Sequence, residues 1–229
     1  MGADTLVIDL ERGIGRTQAL HRANAKILFA NSYEEVKTDV SGPEAASVKT
    51  IVIDTAGSLI EYMKDWAIRK NSACRQKDGS FNWRFGSAII NNELKEFISL
   101  IKEKMNKNLV YIFHTDETSD KDGNPQQRLR CEGKFRNTVW TGIDFGGYIQ
   151  MVGGNRTISF TPDDDYPAKG SHGIFGKRGI PALNDKVSNS FLRDLLEEAR
   201  KNMIQENDAI TPLQKGYEQV IATVAGMME

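Results

Sequence analysis

Short apolar runs closed by acids alternate with amphipathic stretches along the first half of the chain. Leu6, Val7 and Ile8 form an unbroken run that stops at Asp9 and Glu11, with Gly13 and Gly15 just beyond. A run without polar alternation is what a strand buried on both faces requires, so it predicts a strand entering a loop. Lys26 to Ala30 reads as a second short strand. Ser32-Tyr33-Glu34-Glu35 has the S-x-x-E spacing of a capping box, predicting a helix to about Val40 that Ser41-Gly42-Pro43 ends. Ile51-Val52-Ile53, closed by Asp54 and Thr55, repeats the buried-strand pattern, and an amphipathic stretch runs from Ser58 to about Lys70. Residues 71–86 read as a polar loop packed down by Phe81, Trp83 and Phe85. Ile89, Ile90, Leu94, Phe97, Ile98, Ile101 and Met105 recur at helical spacing and predict a long helix over 87–106. Leu109 to Phe113 is the next buried strand, followed by His114, Thr115 and Asp116.

The later pattern changes. Ser119 to Pro125 predicts a turn, with short strands at 128–131, 145–152 and 157–160, the last two joined by a Gly153-Gly154-Asn155 hairpin. Residues 161–181 read as a loop, Ser188 to Asn202 as a helix, and Thr211-Pro212 as the cap and first residue of a terminal helix to about Ala225. Strands separated by helices, then a β-rich portion and a helical tail, predict an α/β fold with a mostly parallel sheet. The expected division is a core over 1–185 and a helical tail over 186–229.

Composition narrows the function classes. Apolar residues at 39% and charged residues at 27% exclude a wholly disordered chain of 229 residues. Thirty Lys+Arg against 31 Asp+Glu, a net charge of -1, exclude a uniformly basic nucleic-acid binder and leave room only for a local basic patch. No apolar run approaches the roughly 20 residues of a membrane helix, and the opening MGADTLVIDLE lacks the basic start of an export signal, so no membrane partner is expected. Cys74 and Cys131 stand alone, without zinc or disulfide spacing, and a reducing cytoplasm is the expectation.

Ligands of open α/β sheets bind outside the carboxyl ends of the strands. Parallel neighbours would bring Asp9 and Glu11, Asp54 and Thr55, and His114 and Asp116 to one sheet edge. Asp54, closing an apolar run, stands where a carboxylate holds the water shell of a phosphate-bound Mg²⁺, or is simply a solvated acid at a strand end. Glu11 reads either as a reactive carboxylate or as a cap of the glycine-bearing loop. His114 has a structural reading beside the functional one, and no neighbouring Cys, Asp or Glu spacing makes it a metal ligand. Phe81, Trp83 and Phe85 either stack a base or pack under the loop, and the basic loop from Lys169 to Arg178 either meets phosphate or faces solvent. Neither G-x-S-x-G nor H-E-x-x-H occurs, and Asp163-Asp164-Asp165 lacks EF-hand spacing.

Taken in order, Leu6 to Glu11, Ile51 to Thr55, Trp83 to Gly86 before a long helix, and Val110 to His114 resemble a RecA-type P-loop ATPase core. The resemblance spans residues 5 to about 185 and is nearest to compact ATP-binding proteins of phages and prophages, some of which act in single-strand annealing and recombination. It implies a RecA-like three-layer sandwich with ATP and Mg²⁺ as cofactors, in the cytoplasm of a bacterial host. It also implies Glu11 as the residue that polarises the attacking water, Asp54 as the metal-supporting acid with Thr55 beside it, and His114 as the γ-phosphate sensor. Lys134, Lys169, Lys177 and Arg178 would be finger candidates, with Lys169 and Arg178 on the nucleotide. Single-stranded DNA and a second copy of the chain are the implied partners. The sequence departs from the family in having no G-x-x-x-x-G-K-[ST]: Gly133-Lys134 precedes Phe135, and Gly176-Lys177 precedes Arg178. Hydrolysis is therefore expected to be incomplete, and the chain is expected to be a remnant, late-start or shortened version lacking roughly forty residues of strand, loop and helix. Such a loss is expected to expose backbone edges in the sheet. The reading from a different class is a non-catalytic DNA- or protein-binding module on a degenerate ATPase core. An independently functionless fragment is the third.

Overall fold

The structure is a computed structural model describing residues 4–16, 25–132, 135–182 and 190–226, with side chains beyond 206 described at 211 and 214 alone. It divides into two compact units. The first takes the chain up to Ile143 with the Asp164–Pro167 segment; the second takes Asp144–Asp163 and most of the chain from Ala168 onward.

In the first unit, β1 (Thr5–Asp9), β2 (Lys26–Phe29), β3 (Thr50–Asp54) and β4 (Asn108–Ile112) form a parallel sheet in the order β2-β1-β3-β4. The central pair is in register from Thr5 opposite Thr50 to Asp9 opposite Asp54, so the closing acids of both strands stand side by side. Leu6, Ile8, Ile51 and Ile53 point to one face and are fully buried. Val7 and Val52 point to the other, where Ile14 and the partly buried Ala25, Ile27 and Val110 cover them. The unbroken apolar runs therefore serve both faces. Slipping β3 by one residue would exchange its faces, and with about 1.5–3 kcal/mol at stake for each large aliphatic side chain, the register is strongly specified.

The larger core is closed by helices α1 (Tyr33–Ser41), α2 (Pro43–Ala46), α3 (Ala56–Lys70), α4 (Trp83–Ser99) and α5 (Phe135–Thr141). Ser32 caps α1 by accepting from the Glu35 amide, but Glu35 turns back to the Asn31 amide at 2.8 Å instead of to Ser32, so the expected box is displaced by one residue. Tyr33 donates from its hydroxyl to Glu93 at 2.8 Å, tying α1 to α4. Helix α3 begins at Ala56, ahead of the Ser58 start read from the sequence. Helix α4 begins at Trp83, ahead of Ser87, because Asn82 caps it; Leu100–Lys104 then widens into a π turn. Of the three aromatics expected to pack beneath the 71–86 segment, Phe81 alone is buried; Trp83 and Phe85 are exposed.

The His114 end of β4 leads into an antiparallel hairpin, β5 (Thr115–Ser119) and β6 (Pro125–Leu129), whose turn is organised by Asp120 accepting the amides of Asp122 and Asn124. Here the sequence reading placed only the turn and a strand at 128–131, since neither strand shows the apolar alternation that marks a half-buried one.

The second unit has its own antiparallel sheet, β7 (Tyr148–Val152), β8 (Asn155–Ser159) and β9 (Lys177–Gly179), so these strands do not extend the parallel sheet. Gly153 and Gly154 both have positive φ, 56° and 81°, the two-residue turn that a right-twisted hairpin favours. Helix α6 (Phe191–Gly226) runs unbroken where two helices were expected: the Thr211-Pro212 pair starts nothing, and Ser188 lies outside the described residues. Phe160, Ile174, Leu195 and Ala199 make the unit's small core. Among the described residues, no helix is long and apolar enough to cross a membrane.

The tip of the Phe81 ring packs against Gly86 in the first turn of α4, where an added Cβ would sit 2.2 Å from Cζ. Gly86→Ala is expected to force the ring off that surface and to lower unfolding free energy by about 1–3 kcal/mol, measured by urea denaturation.

Candidate functional site at the carboxyl end of the sheet

Asp9 builds the loop that carries Glu11. It is 1% exposed, and its carboxylate accepts the amides of Glu11 and Gly13 at 3.1 Å on Oδ1 and of Ile14 at 2.9 Å on Oδ2. With these donors gathered on it, Asp9 is a scaffold rather than one of several acids open to a ligand at the sheet edge. Its removal would leave three backbone donors without their acceptor, each costing about 1–3 kcal/mol when buried.

Glu11 is thereby held over the end of β3. Its Oε1 accepts from the hydroxyls of Thr55 at 2.6 Å and Ser58 at 2.8 Å, and its Oε2 lies 3.2 Å from His114 Nε2. Facing a carboxylate, that ring nitrogen must be the N–H donor. The Thr55 hydroxyl is the largest influence holding the Glu11 carboxyl below its usual range, with Ser58 and His114 adding to it against a partial burial penalty. Thr55 stands at the N-cap of α3, yet its side chain makes no cap hydrogen bond. Its hydroxyl goes to Glu11, forgoing a capping bond worth about 1 kcal/mol. Ser58 is the partner that sequence reasoning missed; the signal was its place one helical turn after Thr55, on the same face.

Asp54 behaves in the opposite way. Burial pushes its carboxyl above the ordinary aspartate value, and the charges of Asp9 and Glu11 push it further, with His114 opposing. Among the described residues nothing donates to its side chain. A desolvated carboxylate flanked by like charge suits a bound divalent ion. Magnesium keeps most of its waters and takes one or two protein carboxylates, so a single acid is enough. Among the described residues no group of three or more His, Cys, Asp or Glu side chains is placed to hold a metal by itself.

A cleft of about 500 Å³ opens beside this cluster. Glu11, Thr55, Ser58 and His114 line it, and Asp54 does not; residues 128–132, from the end of β6 onward, and Arg136 of α5 supply further lining. Gly57 permits the approach of that segment, since an added Cβ would lie 2.9 Å from the Arg130 carbonyl oxygen.

Of the residues singled out in the sequence, Glu11, Asp54, Thr55 and His114 come together. Lys169 and Arg178 belong to the second unit. Arg178 is engaged there by Glu198 through a two-pronged ion pair of 2.6 and 2.9 Å, and the Lys169 backbone pairs with Gly146 in both directions. Lys177 lies on β9, and Lys134 lies outside the described residues.

The sign of the Asp54 shift makes a test. An acid whose folded value is raised loses stability as pH climbs from its unfolded value through the folded one, the reverse of Glu11. Asp54→Asn is expected to raise the melting temperature by a few degrees at pH 8, a gain that shrinks as pH falls toward the ordinary aspartate value. Calorimetric melts from pH 8 to pH 5 check it; a gain independent of pH would contradict the assignment.

No curated protein matches the chain. A family model described as an AAA domain matches residues 1–172, spanning every strand of the parallel sheet and each residue of the Glu11 cluster. The chain belongs to this AAA domain family of nucleotide-binding P-loop ATPases.

Proposed function

We propose that the carboxyl end of the β1–β3 pair is a nucleoside triphosphate site, with Glu11 orienting the attacking water, Asp54 supporting a divalent cation and His114 registering the terminal phosphate. The observation that carries the reading is the Glu11 carboxylate, held low by Thr55, Ser58 and His114 beside an Asp54 whose carboxyl is raised by burial and by the charges of Asp9 and Glu11. Phosphoryl transfer passes through a loose transition state in which positioning the nucleophile counts for more than removing its proton. A carboxylate with a lowered pKa is a weak base but a constant acceptor, which is what holding a water requires. Thr55 and Ser58 fix its direction through Oε1. His114 holds Oε2 and is continuous with β5, so a change at Glu11 reaches the hairpin in one residue.

Bound Mg²⁺ would supply charge neutralisation to the phosphates, and the Asp54 environment fits it. The phosphate cradle is a different matter, because no G-x-x-x-x-G-K-[ST] occurs in the sequence. That observation favours a second reading, a non-catalytic DNA- or protein-binding module on the AAA core. The narrower setting we propose is DNA recombination, annealing or replication of phage or prophage type in a bacterial cytoplasm, with single-stranded DNA and self-association as partners. It rests on the resemblance of residues 5–185.

Calorimetric titration with Mg²⁺ and a non-hydrolysable ATP analogue separates the readings. Asp54→Ala is expected to weaken binding at least tenfold. Glu11→Gln is expected to retain binding and to lower any ATP turnover by about 10²–10⁴. No heat at millimolar analogue would reject the nucleotide site and leave the non-catalytic module.

A further inference from the structure

The cleft beside Glu11 also carries guanidinium groups that neither the sequence nor the nucleotide reading assigned. Arg128 on β6, Arg130 just after it and Arg136 on the first turn of α5 all line it. Charge accounting separates them. Arg130 is neutralised, its Nε donating to Asp116 at 2.7 Å. Arg128 donates from Nε to the neutral Gln126 amide oxygen at 3.2 Å, and Arg136 donates from Nη2 to the Cys131 carbonyl at 3.2 Å. Among the described residues neither of these two is ion-paired. The acids that share the cleft are engaged elsewhere: Glu61 and Glu132 with Lys64 at 2.7 and 2.9 Å, and Glu11 with its hydroxyls and His114.

Arg136 adds a second observation. Its Nε is buried and has no acceptor among the described residues. A buried donor left unmade costs about 1–3 kcal/mol, more when charged, so a side-chain shift that brought this edge of the guanidinium onto a ligand oxygen would recover what the free protein forgoes. Planar guanidinium forks match the oxygens of phosphate, and the cleft volume lies within the range of small-ligand sites.

The geometry points to Arg128 and Arg136 as an oxyanion wall that binds a phosphoryl group in the Glu11 cleft. The ligand is a nucleotide's phosphates or the phosphodiester backbone of a single strand. The inference rests on the nucleotide reading for its choice of phosphate among oxyanions, but not for the wall itself.

The test is titration of the full chain and its Arg128→Gln, Arg136→Gln and Asp54→Ala variants with three probes: sodium tripolyphosphate, a Mg²⁺-bound non-hydrolysable ATP analogue, and a ten-residue oligothymidylate. The expected result is that at least one probe binds the parent and loses tenfold or more in affinity in each arginine variant. Melting of the arginine variants should stay within a few degrees of the parent, because neither guanidinium is ion-paired among the described residues; if Arg136→Gln fails to fold, Arg128→Gln decides. Tripolyphosphate and analogue binding would identify the nucleotide as the source; oligothymidylate binding alone would identify the strand backbone. Absence of binding by all three probes at millimolar concentration, or arginine variants that bind like the parent, would overturn the wall. Analogue binding that falls in Asp54→Ala and stays unchanged in both arginine variants overturns this inference and leaves the nucleotide reading standing. Probe binding that falls in the arginine variants, with no effect of Asp54→Ala and no preference for the adenine nucleotide, supports the wall and removes the nucleotide reading.

Discussion

The register between β1 and β3 is the constraint on which the site depends. Parallel pairing with Asp9 opposite Asp54 brings two carboxylates together at one end of a sheet whose centre is fully buried. Two like charges at that distance cannot both be left without compensation, and the fold resolves the conflict by giving them different environments. Asp9 receives three backbone amides and closes the loop. Asp54 receives none among the described residues and is left desolvated, with its carboxyl raised. The aliphatic side chains that fix the register therefore also fix the electrostatics, through a rigid-body relationship rather than any direct contact with the acids.

Local structural preferences give way around Glu11. Thr55 occupies a position where its hydroxyl would ordinarily cap a helix, and Ser58 sits in the first turn where a hydroxyl can serve the helix backbone. Both turn to Glu11 instead. The consequence is a carboxylate whose direction is set by two donors from a helix and one from a strand end, three points on elements packed into the same core. A side chain on a loop is normally the least well positioned of acids; here the loop is tied down by Asp9 and the carboxylate is tied to the helix.

How much of this was legible follows from how local each signal is. The parallel strands of the first half were readable because a strand buried on both faces must be apolar throughout, and Leu6 to Ile8, Ile51 to Ile53 and Leu109 to Ile112 meet that demand. The meeting of Glu11, Asp54, Thr55 and His114 followed from parallel order alone. The hairpin after His114 was not readable, since Thr115-Asp116-Glu117 carries no period and owes its strand form to its partner. Helix α5 escaped because its buried pair, Phe135 and Val139, spans one turn and becomes an apolar stripe only against α4. Asp9 was read as one of the acids at the edge; that it faces inward to the amides of residues 11, 13 and 14 depends on a left-handed Arg12, at φ 56°, which nothing in the residue types announces.

Strand β4 shows the same principle from the other side. Its sequence is that of a strand surrounded by neighbours, yet among the described residues it is paired only with β3. Leu109, Val110 and Tyr111 are half-buried where the corresponding positions of β3 are buried outright, and Ile112 is 39% exposed. Among the described residues no strand pairs with its outer edge, the kind of edge natural sheets usually guard with charge, proline or a bulge. None of these lies within Leu109 to Ile112; the hairpin beginning at Thr115 comes only after the strand has ended. The open edge and the carboxyl end of the sheet thus meet at His114. The strand ends two residues before the histidine whose Nε2 lies 3.2 Å from Glu11 Oε2, so the edge and the Glu11 carboxylate are joined through a single ring.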